Sequence, residues 1–488
     1  MQSKANRGHC SENKQKKMHR IFYPFTAYAL LLMLALLLGT TTVEAQYARG
    51  NSPYSRYGFG DLASSMMITD QSMGGGMAAT QRSYWNVNLV NPASLGQLHR
   101  TAFQVGLNYE HHALNEKSTG LNATANNGNL SYLSLAFPIT KSWQVRGDTL
   151  RRGEPVQWGM GFSLMPYSSR SYDVSVVRSV GDIPNVNFNY QGNGNRYRIN
   201  WSNGVTYKGL SVGANVGLLF GQVNDITSID FQDSSYVFGY DEVFVTQENV
   251  SGLIWDIGVQ YEYFVGKDDD DNMDEPCTGG NFRQKLIVGA YVGGTSGLAT
   301  STDQETLIQG PSQILTSLNT VTDQKGTIKM PLKYGGGISY GSEYGFKIGI
   351  SYEGQTWSSY RVDGVADDNL TDSWKIATGL QWVPDICEKN STSYFNRVRY
   401  RFGAHYGSDQ RIITAANGTA YQLQDYGVAM GAGFPIHNRK LKSFVGFVNL
   451  GLEFGYVGHP ELIGDMYFKV NLGFALNASG WFQKSKFR

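Results

Sequence analysis

From Asp465 to Asn477 the chain alternates strictly. Met466, Phe468, Val470, Leu472, Phe474 and Leu476 are apolar, and Tyr467, Lys469, Asn471, Gly473, Ala475 and Asn477 between them are mostly polar or small. Residues two apart share one face of a β-strand, so the pattern predicts a strand with one apolar and one wet face. An apolar face this complete and this aromatic fits a wall between lipid and an aqueous lumen.

Residues 1–45 read as an export signal. Lys14, Lys16, Lys17, His19 and Arg20 precede the apolar run Thr26 to Gly39, and Val43-Glu44-Ala45 supplies a small-residue cleavage site ahead of Gln46. A retained anchor is the competing reading, but the run is only about 14 residues against the roughly 20 that a spanning helix needs. The mean hydropathy of −0.31 resembles that of a soluble protein. Alternating faces average out along the sequence, so this value is compatible with membrane residence only for a chain that crosses with strands. The 58 glycines and 30 tyrosines agree, tyrosine being suited to the belts where rings meet lipid headgroups. A formal charge of +1 offers no basic excess for nucleic acid, and that class of partner drops out.

Fourteen strand candidates follow, near 102–112, 130–138, 156–177, 195–207, 210–224, 251–264, 283–297, 326–341, 344–356, 373–383, 396–407, 421–435, 442–457 and 465–477. An even count suits a closed all-β transmembrane antiparallel barrel of the bacterial outer membrane, spanning residues 100–477, with outer-membrane lipid around it. If the first strand runs outward, Lys208-Gly209 and Gly341 to Tyr344 become tight periplasmic turns, and 225–250, 298–325 and 357–372 become long outer loops. The inner connections 139–155 and 265–282 are long as well. Cys277 and Cys387 then fall on the periplasmic side, where an oxidising compartment permits a disulfide between them.

Charge on a lipid-facing position costs about 2–4 kcal/mol at mid-bilayer, which assigns charged positions to the lumen. Around Arg399, the outward set Val398, Tyr400, Phe402, Ala404 and Tyr406 alternates with Arg397, Arg399, Arg401, Gly403 and His405. Asp256, Gln260, Glu262, Glu353 and Glu453 fall on inner faces in the same way. Arg397, Arg399, Arg401 and His405 thus form a lumen charge ladder. It either holds interior carboxylates and a plug or grips an anionic headgroup, and the first reading is the stronger.

Residues 46–99 carry no alternating strand, yet they are rich in aromatic and apolar side chains and read as a plug. Three stretches mark them: Pro53-Tyr54-Ser55-Arg56-Tyr57-Gly58, then Met73-Gly74-Gly75-Gly76-Met77-Ala78, then Asn91-Pro92-Ala93-Ser94. In this order, and followed at once by the strand at Ala102, they resemble the N-terminal hatch of the FadL-like outer-membrane transport proteins, with an opening like that of the Bacteroidetes branch. The resemblance extends in outline through Met330-Pro331, the Arg397 to Tyr406 strand and Trp481-Phe482-Gln483-Lys484. It implies fourteen strands around a hatch that includes Gly74, Gly75, Gly76, Asn91, Pro92 and Ala93. It also implies capture of a hydrophobic small-molecule ligand outside and lateral exit near the third strand. Pro166 lies in that strand and cannot donate a ladder hydrogen bond, which makes it the candidate for a kink or wall opening, or else a proline at a bulge or strand end.

Other chemistry is weak. Asp268, Asp270, Asn272 and Asp274 alternate as in a calcium loop, but Met273 stands where glycine is required and Gly279 where a bidentate glutamate is required. His111 and His112 are adjacent on a strand and point to opposite faces, with no nucleophile identified by spacing. No metal, cofactor or enzymatic activity is expected. Residues 478–488 read as a basic aromatic tail, Trp481, Phe482, Lys484, Lys486 and Arg488 anchoring at the interface or meeting a partner. The expected function is a plugged channel for hydrophobic compounds, conceivably long-chain fatty acids. The alternative is a non-transporting barrel subunit of a larger secretion or assembly complex with envelope protein partners.

Overall fold

The computed structural model describes residues 52–478 except 85, 117–119, 141–142, 147–148, 153–155, 232–240, 266–283, 310–314, 386–392, 416 and 439–442. Residues 1–51, with the expected export signal, Cys277, Cys387, the acidic run 267–275 and the residues beyond Ala478 lie outside the described residues. In chain order the strands begin with β1 (Asp61–Leu62), β2 (Thr101–Glu116), β3 (Asn122–Pro138), β4 (Trp143–Arg146), β5 (Thr149–Arg152), β6 (Val156–Ser169), β7 (Tyr172–Val180) and β8 (Ile183–Tyr207). Next come β9 (Leu210–Phe231), β10 (Asp241–Val265), β11 (Gln284–Thr295), β12 (Leu298–Gln309), β13 (Leu315–Lys329), β14 (Lys333–Gly341) and β15 (Phe346–Gln355). The remainder are β16 (Arg361–Val362), β17 (Val365–Ala366), β18 (Ser373–Trp382), β19 (Arg399–Thr414), β20 (Ala420–Asn438), β21 (Ser443–Gly458) and β22 (Ile463–Ala478).

Closure is made by the last strand on the first wall strand. β22 pairs antiparallel with β2 from Thr101↔Ala478 to Glu116↔Ile463. The result is a closed antiparallel barrel of 14 strands, with β11–β12 and β13–β14 each forming one interrupted wall strand. Two-residue periodicity sorts the side chains of these strands. On β9, Val216 is 50% exposed and Leu218 46%, whereas Leu219 between inward positions is 0% exposed. Outward residues of β8 (Tyr207, Val205, Trp201, Ile199), β10 (Tyr261, Val259, Ile257, Leu253) and β19 (Phe402, Tyr406) continue the same apolar belt. Inward residues are polar, including buried Arg198, Gln260, Glu262, Arg399, Arg401 and Asn471. An outer-membrane barrel is thereby defined: neighbouring strands pair around a closed wall, and side chains divide between lipid and lumen.

Both chain ends of the barrel and the tight turn after Tyr207 sit at one rim, which the short-turn rule makes periplasmic. The other rim is uneven. β8 and β10 have 25 residues each, far more than the roughly 9–11 needed to cross. Residues 225–231, 241–250 and 298–325 were expected as outer loops, but most of them extend β9, β10, β12 and β13 into a projecting sheet. Beyond Val223, Val250, Thr300 and Ile328 the residues of these strands are half-buried or exposed on both faces, so no alternation marks them in the sequence.

Within the barrel, Phe59 packs with Leu219, Val250, Ile254, Leu298, Ile328, Met330, Trp357, Tyr360 and Leu370. The connection between β15 and β18 therefore turns in and fills the outer mouth, with β16 tied to β13 through Ile328↔Val362 and Lys329↔Arg361. Placing a charge on the belt tests the orientation. Val216→Arg is expected to lower folding stability by about 2–4 kcal/mol in lipid vesicles, whereas Gln222→Arg, three two-residue steps further out, is expected to leave it nearly unchanged in the same denaturant titration.

Candidate functional site

Residues 52–99 run along the inner faces of the wall. The Gly74-Gly75-Gly76 stretch follows the single-turn helix α1 (Ile68–Gln71) and lies backbone to backbone on β18 and β19. A Cβ on Gly76 would stand 2.1 Å from the Gly379 amide nitrogen, and one on Gly403 would stand 2.0 Å from the Met73 carbonyl carbon. Gly74 and Gly75 also take φ +61° and +86°, a region where side chains are strained. Glycine on both partners permits this approach. Hydrogen bonds fix it, Ser351 Oγ donating to the Gly76 carbonyl at 3.0 Å and Gln260 Nε2 to the Ala79 carbonyl at 2.9 Å.

Asn91, Pro92 and Ala93 sit against β8, β9 and β10. Asn91 accepts from the Ala93 amide through its side chain as the cap of a 3₁₀ turn, Pro92–Gln97, where proline at the first position loses no needed donor. Its Nδ2 donates to the carbonyls of Ala79 (2.9 Å), Val259 and Ala290 (3.3 Å each). Asn91 thus links the N-terminal segment to itself and to two wall strands. A Cβ on Gly258 would stand 2.0 Å from its Oδ1, so the wall is glycine at this contact also. Arg82 pairs with Glu262 at 3.2 Å and Lys285 reaches both Glu262 (3.1 Å) and Tyr84 Oη (2.7 Å).

Arg399 donates to Glu343 at 3.0 Å, and Arg401 donates to Gln381 at 3.0 Å and Asn449 at 2.9 Å. His405 contacts Asp425 and Tyr467 Oη, each at 3.2 Å. Arg397 departs from the ladder. It belongs to a 3₁₀ turn, Tyr394–Arg397, capped by Ser393, and its guanidinium lies 5.5 Å from the Tyr394 ring centre. That local cap makes the strand begin at Arg399, three residues later than expected. Outer-side ions join the N-terminal segment to the wall: Arg196 donates to the Phe59 carbonyl (3.0 Å) and Glu248 (2.5 Å), and Arg411 to Asp61 (2.5 Å). Sequence spacing gave no sign of these pairs, because their partners lie more than fifty residues apart.

At Pro166 the wall changes partners. β3 and β6 pair only from Pro138↔Gly159 to Leu133↔Leu164. Beyond that, among the described residues, Asn122 to Leu130 pair with β2 alone, while Ser168 and Ser169 of β6 take Leu62 and Asp61 of β1 as partners. The ladder of β6 with β8 is irregular between Pro166 and Ser168. A proline lacks the donor that the β3 ladder would require next, so the strand is released there. Behind the break is a cavity of about 400 Å³, reached by Leu130 and Ser131 from one edge and by Pro166 and Tyr167 from the other. Its walls carry ion pairs: His112–Asp465 at 3.0 Å, Lys375–Asp425 at 2.7 Å, Lys333–Glu353 at 3.0 Å and Lys469–Glu110 at 3.4 Å. His111, on the other face of β2, contacts Asn126 instead.

Asp70 of α1 was not singled out by sequence. It is fully buried, and neither carboxylate oxygen has a hydrogen-bond partner. Burial pushes its pKa up to about 7, against the pull of Lys347 and Arg401.

This geometry is that of an outer-membrane β-barrel with a filled lumen and a partial break between its second and third wall strands. A family model described as BamG matches residues 29–488, and the chain belongs to the BamG family. No curated sequence relative matches. Among solved structures, the chain is similar to the toluene transporter TodX of P. putida at 14% identity, with 85% of this chain and 99% of that chain covered and a TM-score of 0.50. It is similar to the toluene transporter TbuX of Ralstonia pickettii at 13% identity, covering 85% and 98%, with a TM-score of 0.51. A Pseudomonas aeruginosa FadL homologue matches at 10% identity, covering 86% and 98%, with a TM-score of 0.50. At such identities the likeness establishes a shared FadL-like fold.

Two outcomes are expected. Gly403→Val forces a branched side chain onto the Met73 backbone, so residues 52–99 are expected to become sensitive to limited proteolysis while the heat-resistant barrel band persists on gels. The raised pKa of Asp70 favours its neutral form in the fold, a contribution fully present below about pH 4 and lost as pH rises through about 7. Asp70→Asn is therefore expected to match the parent protein at pH 4 and to exceed it at pH 8 by on the order of a few kcal/mol in urea titrations.

Proposed function

We propose that this protein is an outer-membrane channel for small hydrophobic compounds, long-chain fatty acids among them, which enter from outside and leave sideways through the break beside Pro166. The observation that carries the reading is the end of the β3–β6 ladder at Leu133↔Leu164, with a cavity behind it that both strand edges line. In this reading residues 46–99 are a hatch held by Gly74, Gly75, Gly76, Asn91, Pro92 and Ala93, and Asp61–Leu62 is a latch on the released edge of β6. The Pro-Tyr-Ser-Arg-Tyr-Gly opening at Pro53 resembles that of the Bacteroidetes branch of FadL-like proteins, which supports membership of that branch. Arg399, Arg401 and His405 stiffen the lumen, and the paired ions of the cavity exchange partners to admit a polar head. TodX and TbuX are toluene transporters, which supports a hydrophobic cargo for this chain too.

A second reading has its own support: a non-transporting subunit of a larger outer-membrane secretion or assembly complex. The outer mouth is packed by Phe59, Trp357, Tyr360 and Leu370, and the lumen ions already neutralise one another. Purification in mild detergent separates the two. A lone barrel carrying a lipid-like molecule favours the channel, and stoichiometric recovery of other envelope proteins favours the subunit. For the channel, Pro166→Val lets the β3–β6 ladder continue and is expected to reduce uptake of a labelled fatty acid by cells about fivefold or more, on the scale of a new hydrogen bond or two across the break, with barrel assembly unchanged. Uptake equal to that of the parent protein would remove the lateral exit.

A further inference from the structure

Above the lipid belt, the outward face of the projecting sheet carries neutral amides in register. In the lower row Asn195, Gln222, Asn249, Ser301 and Lys325 stand opposite one another on β8, β9, β10, β12 and β13. One two-residue step further out, Asn193, Asn224, Gln247 and Asp303 repeat the arrangement on the first four of these strands. The rows face outward because they continue the lipid-facing parity. Asn195 follows Ile199 and Tyr197, Gln222 follows Leu218 and Phe220, and Asn249 lies two steps beyond Leu253. The intervening inward residues Arg196, Val223 and Val250 are buried.

The side chains are held in place. Asn224 Nδ2 donates to Asn193 Oδ1 at 3.0 Å, and Gln222 Nε2 donates to Asn224 Oδ1 at 3.2 Å. A cavity of about 550 Å³ opens at the lower row, lined by Gln222, Asn249, Ser301 and Lys325. Amides donate and accept at once, as sugar hydroxyls do, so a row of them matches a carbohydrate better than an ion. The cation at the end of the row, Lys325, is paired with Asp323, which leaves a phosphate little to hold. Just below, the rings of Tyr197 and Phe220, 6.4 Å apart, stand at the depth where aromatic residues meet headgroups.

We infer that this face binds the neutral sugar head of an outer-leaflet glycolipid. Continuity decides the occupant. The amide rows begin where the apolar belt stops, so one molecule can lay its tail on Ile199, Leu218 and Leu253 and its head on Asn195, Gln222 and Asn249. This assignment does not depend on whether the barrel transports.

The test uses the full chain in nanodiscs of phosphatidylethanolamine doped with either a diglycosyl diacylglycerol or phosphatidylglycerol, and reads retained lipid by native mass spectrometry. The parent protein is expected to retain the glycolipid above its bulk fraction and the triple variant Asn195→Ala/Gln222→Ala/Asn249→Ala to retain about tenfold less, with phosphatidylglycerol retention the same in both. Should the triple variant fold poorly, Gln222→Glu/Asn249→Asp preserves shape and is expected to give the same loss. Equal glycolipid retention by the parent protein and a folded variant overturns the proposal. So does parent retention no greater than that of phosphatidylglycerol. Full competition by the free disaccharide at matched concentration overturns the lipid-borne source, and loss of a bound envelope protein with glycolipid retained overturns the assignment in favour of protein docking.

Discussion

Hydrocarbon offers backbone amides and carbonyls no partner, and each unsatisfied group there costs several kcal/mol. That penalty demands the ladder between β2 and β22, which joins chain positions nearly four hundred residues apart and turns a sheet into a wall. Once the wall is closed, the two-residue repeat leaves side chains only two destinations. Apolar residues line the lipid, and the remainder must satisfy one another within a confined lumen. The abundance of buried ion pairs, such as Arg399–Glu343 and Lys375–Asp425, follows from that confinement.

A lumen of this width would be open if side chains alone filled it. The chain fills it with backbone. The triglycine stretch lies directly on Gly379 and Gly403, and Asn91 reaches the carbonyls of β10 and β11. Glycines of the wall and of the N-terminal segment therefore serve one purpose, the close approach of two main chains, and their high number is explained by contact as well as by turns. The same segment supplies Asp61 and Leu62 to the edge that β6 loses at Pro166. One strand edge is thus covered by an element that is not part of the wall.

Legibility varied with periodicity. Each of the fourteen strand candidates corresponds to a wall strand, because crossing lipid imposes alternation on every one. Arg399, Arg401 and His405 lie on the inward parity of β19 and are buried among polar partners, while Arg397 belongs to the Ser393-capped turn, whose local hydrogen bond outweighs strand continuation. The outer sheet was read as loops, since Asn193, Asn224 and Gln247 on one face and charged residues on the other give no contrast. Asp70 carried no signal at all. Its character comes from burial beneath distant strands.

What the sequence determined by itself is the medium: alternation of apolar and polar residues, repeated fourteen times with complete aromatic-rich apolar faces, fits a barrel with lipid on one side and an aqueous lumen on the other. Tertiary structure alone decided which strands part at Pro166, which ions pair across the lumen and which amides align above the membrane. Those depend on register between segments far apart in the chain, and a shift of a single residue in any ladder would exchange the faces and dissolve them.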